Sequence, residues 1–328
     1  MDAITSLLFG PNRGVNVLSL DWDHLIILDA CRYDVFKLVY SKYLSKALRR
    51  YRFECIESTA SMTGEFWIRN INNANVLKKI NDVIFVNSNP MIDKAVGQRK
   101  LHKVFYNYVP VWKRYWDGTL GTVKPEDVYR VALRTFIRYP NKRMIIWFLQ
   151  PHYPYLDEKY AHINALGREW WNKNMLYMIP EKNRNIEKAT VLAALIKSIV
   201  RLGCLHLGNA PKLGAYMRRN THEVIRAYTS NLIKVLYYVK KLTEVLPGKI
   251  VVTSDHGEAF GEPLSKLLPL RVYGHISRIR IRSLTQVPFL VVKTSIPRHE
   301  ALRKALRYLA HYLIDEISRK SYERGLYK

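Results

Sequence analysis

At 328 residues and 48% hydrophobic content, the chain carries enough apolar material for a full core, and it reads as a single α/β domain over 1–328. Its 53 Lys and Arg against 27 Asp and Glu give a net charge of +26, which attracts an anionic partner such as a phosphate or sulfate ester, a phospholipid surface or nucleic acid, without choosing among them. Three scattered cysteines (Cys31, Cys55, Cys204) exclude a disulfide framework and a zinc ribbon. No run of about eighteen apolar residues occurs, and the amino terminus lacks a basic segment and a cleavage site, so the expected location is cytoplasmic, with the basic surface leaving peripheral membrane contact open. Abundant Tyr, Ile, Arg and Lys with little Gln suit a thermophile.

In chain order, His24-Leu-Ile-Ile-Leu-Asp29 is the first strand, ending on a carboxylate before Ala30-Cys31-Arg32-Tyr33-Asp34 and a helical pattern. Residues 43–51 are basic and helical in pattern, and Arg52–Ile56 makes a short strand. The hydroxyl-rich turn Ser58-Thr59-Ala-Ser61-Met-Thr63-Gly64-Glu65 opens a helix. Asp82–Pro90 and Arg143–Gln150 repeat the strand-then-polar-turn pattern, the latter running into Pro151-His152-Tyr153-Pro154-Tyr155. Strands separated by helices predict a mainly parallel central sheet flanked by helices. Residues 160–221, basic and with Trp170, Trp171 and a helix-like run at Ile186–Arg201, show no strand pattern and read as an insertion or lid beside the site. A long packing helix spans His222–Leu246. The strand Lys249–Val252 runs into Thr253-Ser-Asp255-His256-Gly257-Glu258, followed by Tyr273-Gly274-His275, the alternating Arg278-Ile-Arg-Ile-Arg282, the strand Gln286–Val292 and a closing helix Glu300–Ser318. On a strand the alternation puts three guanidinium groups on one face; on a loop it makes a basic rim.

Polar residues at the carboxyl ends of parallel strands are the functional candidates of such a sheet. Asp255 and His256 there offer an anionic oxygen and an imidazole nitrogen, a natural pair for a divalent cation; the structural alternative is an Asp that caps the next helix. Arg32 either reaches a phosphate oxygen through its fork or pairs with Asp34.

Asp29, the Thr-Ser-Asp255-His256-Gly-Glu stretch, His152-Tyr-Pro-Tyr, Gly274-His275 before a Val-Pro-Phe-Leu strand, and the helix around Tyr228-Thr-Ser-Asn231 together resemble the alkaline phosphatase superfamily in its sulfatase-like branch, from about residue 20 to 295 outside 160–221. Asp-Ala-Cys-Arg-Tyr-Asp, Ser-x-Thr-x-Glu and Ser-Asn-Pro, in that order, are similar to archaeal sulfatase-like proteins. The resemblance implies a divalent metal, zinc or manganese, one ion or two, bound by Asp29, Asp255 and His256, which activates a hydroxyl after the second strand. Thr63 best matches that pattern, with Thr59 and Ser61 as alternatives. It implies for His152 and His275 either substrate contact or ligation of a second metal, for which Asp157 is the additional acidic candidate. Where true sulfatases resemble one another in a Cys/Ser-x-Pro/Ala-x-Arg signature, this chain has Ser61-Met-Thr-Gly-Glu65, which favours phosphate over sulfate esters. The expected activity is a metal-dependent phosphoester hydrolase working through a covalent Thr intermediate. Its alternatives are a transferase onto a sugar or lipid hydroxyl, held by Trp170, Trp171 and the basic insertion, a sulfuric ester hydrolase, and an inactive polyanion- or nucleic-acid-binding protein.

Overall fold

A computed structural model describes residues 11–44, 51–176, 204–206, 211–265 and 270–323. Twelve strands appear in this order: β1 (His24–Leu28), β2 (Tyr51–Glu57), β3 (Val83–Asn87), β4 (Asn107–Pro110), β5 (Trp116–Asp117), β6 (Thr122–Val123), β7 (Arg143–Phe148), β8 (Cys204–His206), β9 (Gly248–Thr253), β10 (Ala259–Pro263), β11 (Arg271–Gly274) and β12 (Gln286–Thr294). Seven form the central sheet in the order β2-β12-β9-β1-β7-β3-β4. From β9 to β4 all neighbours are parallel; β12 runs antiparallel to both β9 and β2. The expected mixed α/β fold with a mainly parallel sheet is therefore present.

The central strands are apolar without alternation because both faces are covered. Ile26 and Leu28 of β1, with Met144, Ile146 and Phe148 of β7, pack under the helices Tyr33–Leu44, Pro125–Arg138, Thr221–Val245 and Arg298–Glu323. Leu25 and Ile27, with Ile145 and Trp147, face the helices Thr63–Ile71, Ala74–Ile80, Pro90–Val96 and Gln98–Val104. On that second face Trp67 and Trp147 lie tilted at 34° with ring centroids 5.7 Å apart, against a cluster holding Phe66 and Phe85. Among the described residues no helix is long and apolar enough to cross a membrane.

Several expectations need correction. Of the helix expected over 43–51, Tyr43 and Leu44 lie in the helix Tyr33–Leu44 and residues 45–50 lie outside the described residues, while Tyr51 already begins β2, whose rungs to β12 extend that edge strand by one residue on each side of the expected range. The stretch 160–221, read as strandless, contains β8, which pairs in parallel with β11; three residues whose partner lies far along the chain leave no local periodic signature. The run Ile186–Arg201 lies outside the described residues. Arg278–Arg282 is neither strand nor exposed edge: Arg278 takes φ +70°, the chain turns, and a short helix begins at Arg282. The alternation is nonetheless real, since Ile279 and Ile281 enter a small apolar cluster while Arg280 pairs with Glu57.

His24, at the base of β1, is buried with its ring edge toward Phe136. Burial pushes its imidazole down to about 4 from 6.5. The neutral ring is the form the fold accepts, so its contribution to stability is complete above pH 6.5 and is lost as pH falls toward 4. At 1.36 kcal/mol per pH unit that loss is about 3 kcal/mol. Urea unfolding of wild type and His24→Gln between pH 7 and 4 is expected to give curves that converge as the pH falls, the wild type losing more.

Candidate functional site

The carboxyl ends of β1, β3, β7 and β9 meet at one edge of the sheet. Ile27 sits opposite Thr253 and Leu28 opposite Phe148, so Asp29 and Asp255, just beyond those rungs, are brought side by side. Ala30 adopts φ +56°, outside the usual range for a residue with a side chain, and this turn lets its N–H donate to Asp255 Oδ1 (3.1 Å) and that of Cys31 donate to Ser254 Oγ (2.7 Å). Tyr228 locks the turn: its hydroxyl donates to Ala30 O (2.6 Å) and accepts from Arg32 N–H (2.8 Å). Gly257 is required because a Cβ there would lie 2.0 Å from Ser283 O.

Asp29, Asp255 and His256 converge with ligand atoms within 4.8 Å of one another, all buried. Thr63, the first residue of its helix and 6% exposed, donates from Oγ1 to Asp255 Oδ2 (2.7 Å) and lies 3.2 Å from His256 Nε2. The other two candidates are committed elsewhere. Ser61 Oγ bonds Glu65 and Ile276 O, while Thr59 Oγ1 accepts from Asn70. Capping does not account for Thr63, since that helix has Met62 at its N-cap and no side-chain cap bond.

Proton bookkeeping tests whether a cation fits. His256 Nδ1 sits 2.7 Å from Gly257 O, which only accepts, so Nδ1 carries the proton and Nε2 presents a lone pair. Asp29 Oδ2 is saturated by Asn89 Nδ2 (2.5 Å) and Trp147 Nε1 (3.0 Å), leaving Oδ1 to face His256 Nε2 at 3.9 Å. Two carboxylate oxygens, an imidazole lone pair and the Thr63 hydroxyl thus share a single proton, and among the described residues no Lys or Arg forms an ion pair with either carboxylate. Burial, and then Asp255, hold the Asp29 carboxyl well above its usual range. The donor set fits a divalent cation such as zinc or manganese, which would supply the missing positive charge.

A second group adjoins the first. His152, Glu258 and His275 also converge within 4.8 Å, with His275 4.5 Å from His256 and 4.9 Å from His152 between ring centroids. His275 Nδ1 lies 3.1 Å from Glu258 Oε1, and His152 Nδ1 contacts Tyr153 O. Burial, reinforced by neighbouring imidazoles, lowers His275 well below its usual value and His152 to about 4, and burial raises Glu258. His275, expected with His152 to contact substrate or to ligate a second metal, stands with it in this second group. Asp157 is not part of it, being held by Ser230 and Lys159; Glu258 is the acidic member, a residue quoted in the sequence motif without a role. Trp171, from the helix Ala161–Leu176, stacks on His152 at 5.0 Å, so the expected insertion does border the site, whereas the side chain of Trp170 lies outside the description. Arg32 pairs with Asp34 (2.6 Å) and Glu262 and also donates to Glu258 O, so both edges of its fork are engaged.

The Asn89 contact was not anticipated from the sequence. Asn89→Ala is expected to lower zinc affinity about 10- to 100-fold with Asp29, Asp255 and His256 intact, the usual cost of removing a group that orients a ligand; competition with a chelating dye measures it.

No family model matches the chain, and no curated protein matches it. Among solved structures the chain is similar to the C-terminal periplasmic domain of EcEptC from Escherichia coli, in complex with Zn, with a TM-score of 0.48, 11% identity, and 87% of this chain and 76% of that one covered. It is also similar to the C-terminal periplasmic domain of the phosphoethanolamine transferase EptC from Campylobacter jejuni, with a TM-score of 0.45, 12% identity, and 88% of each chain covered. At such identities the likeness concerns chain course, and the chemistry rests on the geometry above.

Proposed function

We propose that the protein is a metal-dependent enzyme that cleaves phosphate esters by moving the phosphoryl group onto Thr63. The observation that carries this is the position of Thr63 Oγ1, 2.7 Å from Asp255 Oδ2 and 3.2 Å from His256 Nε2, at the start of a helix. A divalent cation held by Asp29, Asp255 and His256 supplies the charge that makes this hydroxyl nucleophilic near neutral pH and offsets charge on the transferring group.

In the first half-reaction a bond forms between Thr63 Oγ1 and phosphorus while the ester P–O bond breaks and the leaving oxygen departs as an alkoxide, which takes a proton from solvent. The Thr63 proton is directed at Asp255 Oδ2, its hydrogen-bond acceptor. The first intrahelical bond is Phe66 N–H to Met62 O (2.9 Å), so the N–H groups before it are oriented for the phosphoryl oxygens. His152 and His275 contact the substrate or, with Glu258, hold a second cation. In the second half-reaction an acceptor oxygen attacks phosphorus and the Oγ1–P bond breaks: water gives hydrolysis, and a sugar or lipid hydroxyl gives transfer. Arg32, held by two carboxylates, positions the 258–262 segment and thereby Glu258.

The polyanion-binding alternative draws no support from this site, where three buried carboxylates would repel such a ligand. The test is turnover of p-nitrophenyl phosphate, bis-p-nitrophenyl phosphate and p-nitrophenyl sulfate with zinc or manganese, in wild type and Thr63→Ala, with glycerol as an added acceptor. Cation-dependent phosphoester cleavage lost in Thr63→Ala is expected; release of inorganic phosphate or of glycerol phosphate identifies the acceptor. Cleavage of the sulfate ester alone, or equal rates in the variant, would overturn the reading.

A further inference from the structure

At the opposite end of the sheet a cavity of about 120 Å³ is lined by Asp23, His24, Lys142, Arg143, Gly248 and Arg298, together with neighbouring loop residues. We infer that this cavity is a second oxyanion site, for a small tetrahedral ion such as inorganic phosphate, separate from the catalytic centre. Three cations face one carboxylate there, and that carboxylate is already occupied: Asp23 Oδ2 accepts from Lys249 N–H (2.7 Å). Arg143 donates to Trp22 O and Lys79 O, and Lys142 lies over the Tyr106 ring at 3.9 Å. Arg298, by contrast, has no hydrogen bond or ion pair to any described residue. It is the first residue of the 26-residue helix Arg298–Glu323, so the positive end of that helix dipole lies at the same rim.

The independent observation is His24. It is 3% exposed, it lines the cavity, and its Nδ1 is buried with no partner. Buried polar atoms are normally satisfied, so an imidazole without a side-chain hydrogen bond beside an unpaired guanidinium marks a place for a ligand that accepts from both. Water occupies about 30 Å³ in the liquid, so the cavity has room for about four waters; this is the scale of a free oxyanion and too small for a nucleotide.

The site bears on the catalytic end through two strands. His24 opens β1, which leads to Asp29, and Gly248 opens β9, which leads to Asp255. Five strand residues at about 3.3 Å each put the two sites roughly 17 Å apart. An ion bridging His24, Lys142 and Arg298 ties the bases of both ligand-bearing strands to the closing helix, and it stabilises the folded chain by mass action.

The test titrates inorganic phosphate into the full chain carrying Asp255→Ala, which disables the catalytic centre, at ionic strength held constant with chloride. It follows the melting temperature and the His24 imidazole proton resonance, assigned with His24→Gln. A saturating response of both is expected, with the apparent dissociation constant raised at least tenfold in Arg298→Gln and also raised in Lys142→Gln. Unchanged affinity in both variants, or a response that chloride alone reproduces, would overturn the proposal; the two variants guard against either one folding poorly. Because this site does not use Thr63, its failure leaves the phosphoester reading untouched.

Discussion

Thr63→Ala is expected to lower phosphoester turnover by about 10³-fold or more while leaving zinc bound, because it removes the atom that takes the phosphoryl group and spares Asp29, Asp255 and His256. Thr63→Ser should retain measurable turnover, since the hydroxyl keeps its place against Asp255 Oδ2. The neighbouring hydroxyls set the contrast. Ser61 bonds Glu65, which also accepts from Arg278 N–H (2.9 Å) and Ser277 Oγ (3.2 Å). Ser61→Ala should therefore cost about 1 kcal/mol of stability with turnover reduced far less. Steady-state rates and chemical denaturation on the same three proteins separate the two kinds of effect. A Ser61→Ala rate as low as that of Thr63→Ala would move the nucleophile.

Asp255→Asn is expected to make the metal-free protein more stable and the zinc-loaded protein less stable than wild type. Burying two carboxylates side by side is costly, and Asp29 shows it: with its carboxyl held well above its ordinary 3.8, folding takes up a proton. That contribution opposes folding increasingly as pH rises above 3.8. Removing the Asp255 charge relieves the part due to its neighbour, while the amide keeps the shape, with its oxygen accepting from Ala30 N–H and its NH₂ donating to Thr63 Oγ1. A gain of about 1–3 kcal/mol at neutral pH follows for the metal-free chain. With zinc at about 1,000 times its dissociation constant, wild type gains about 4.1 kcal/mol that the variant forgoes, and the order reverses. Melting curves with chelator and with zinc give the four values. A variant less stable in both conditions would make Asp255 an ordinary structural acceptor.

Asp29, Asp255 and His256 were legible in the sequence for a local reason. An apolar run ending abruptly on charged residues has few structural uses, and both strands place the change of character where a parallel sheet exposes its ends. Thr63 was legible only through its pattern; its separation from Thr59 and Ser61 needed the partners each hydroxyl finds in space. Glu258 stood within the quoted stretch, but its meaning comes from His152 and His275, which belong to other loops. Asn89 was hidden by a local role: its side-chain oxygen accepts from Met91 N–H (2.8 Å), as a helix cap does, while its NH₂ group reaches Asp29. Asp157 drew attention because it is close to His152 in sequence, yet the chain carries it out to Ser230 and Lys159. β8 and the β5–β6 hairpin are too short for periodicity to register, and the helix Pro125–Arg138 passed without comment although it covers the sheet beside Thr221–Val245.

The phospho-enzyme itself is the most direct test. Zinc-loaded protein mixed with p-nitrophenyl phosphate and quenched in acid within the first turnovers should yield, by peptide mass spectrometry, one phosphoryl group on Thr63, absent in Asp255→Ala. A phosphoryl group on Thr59 or Ser61, or turnover without any phosphorylated peptide, would contradict the account.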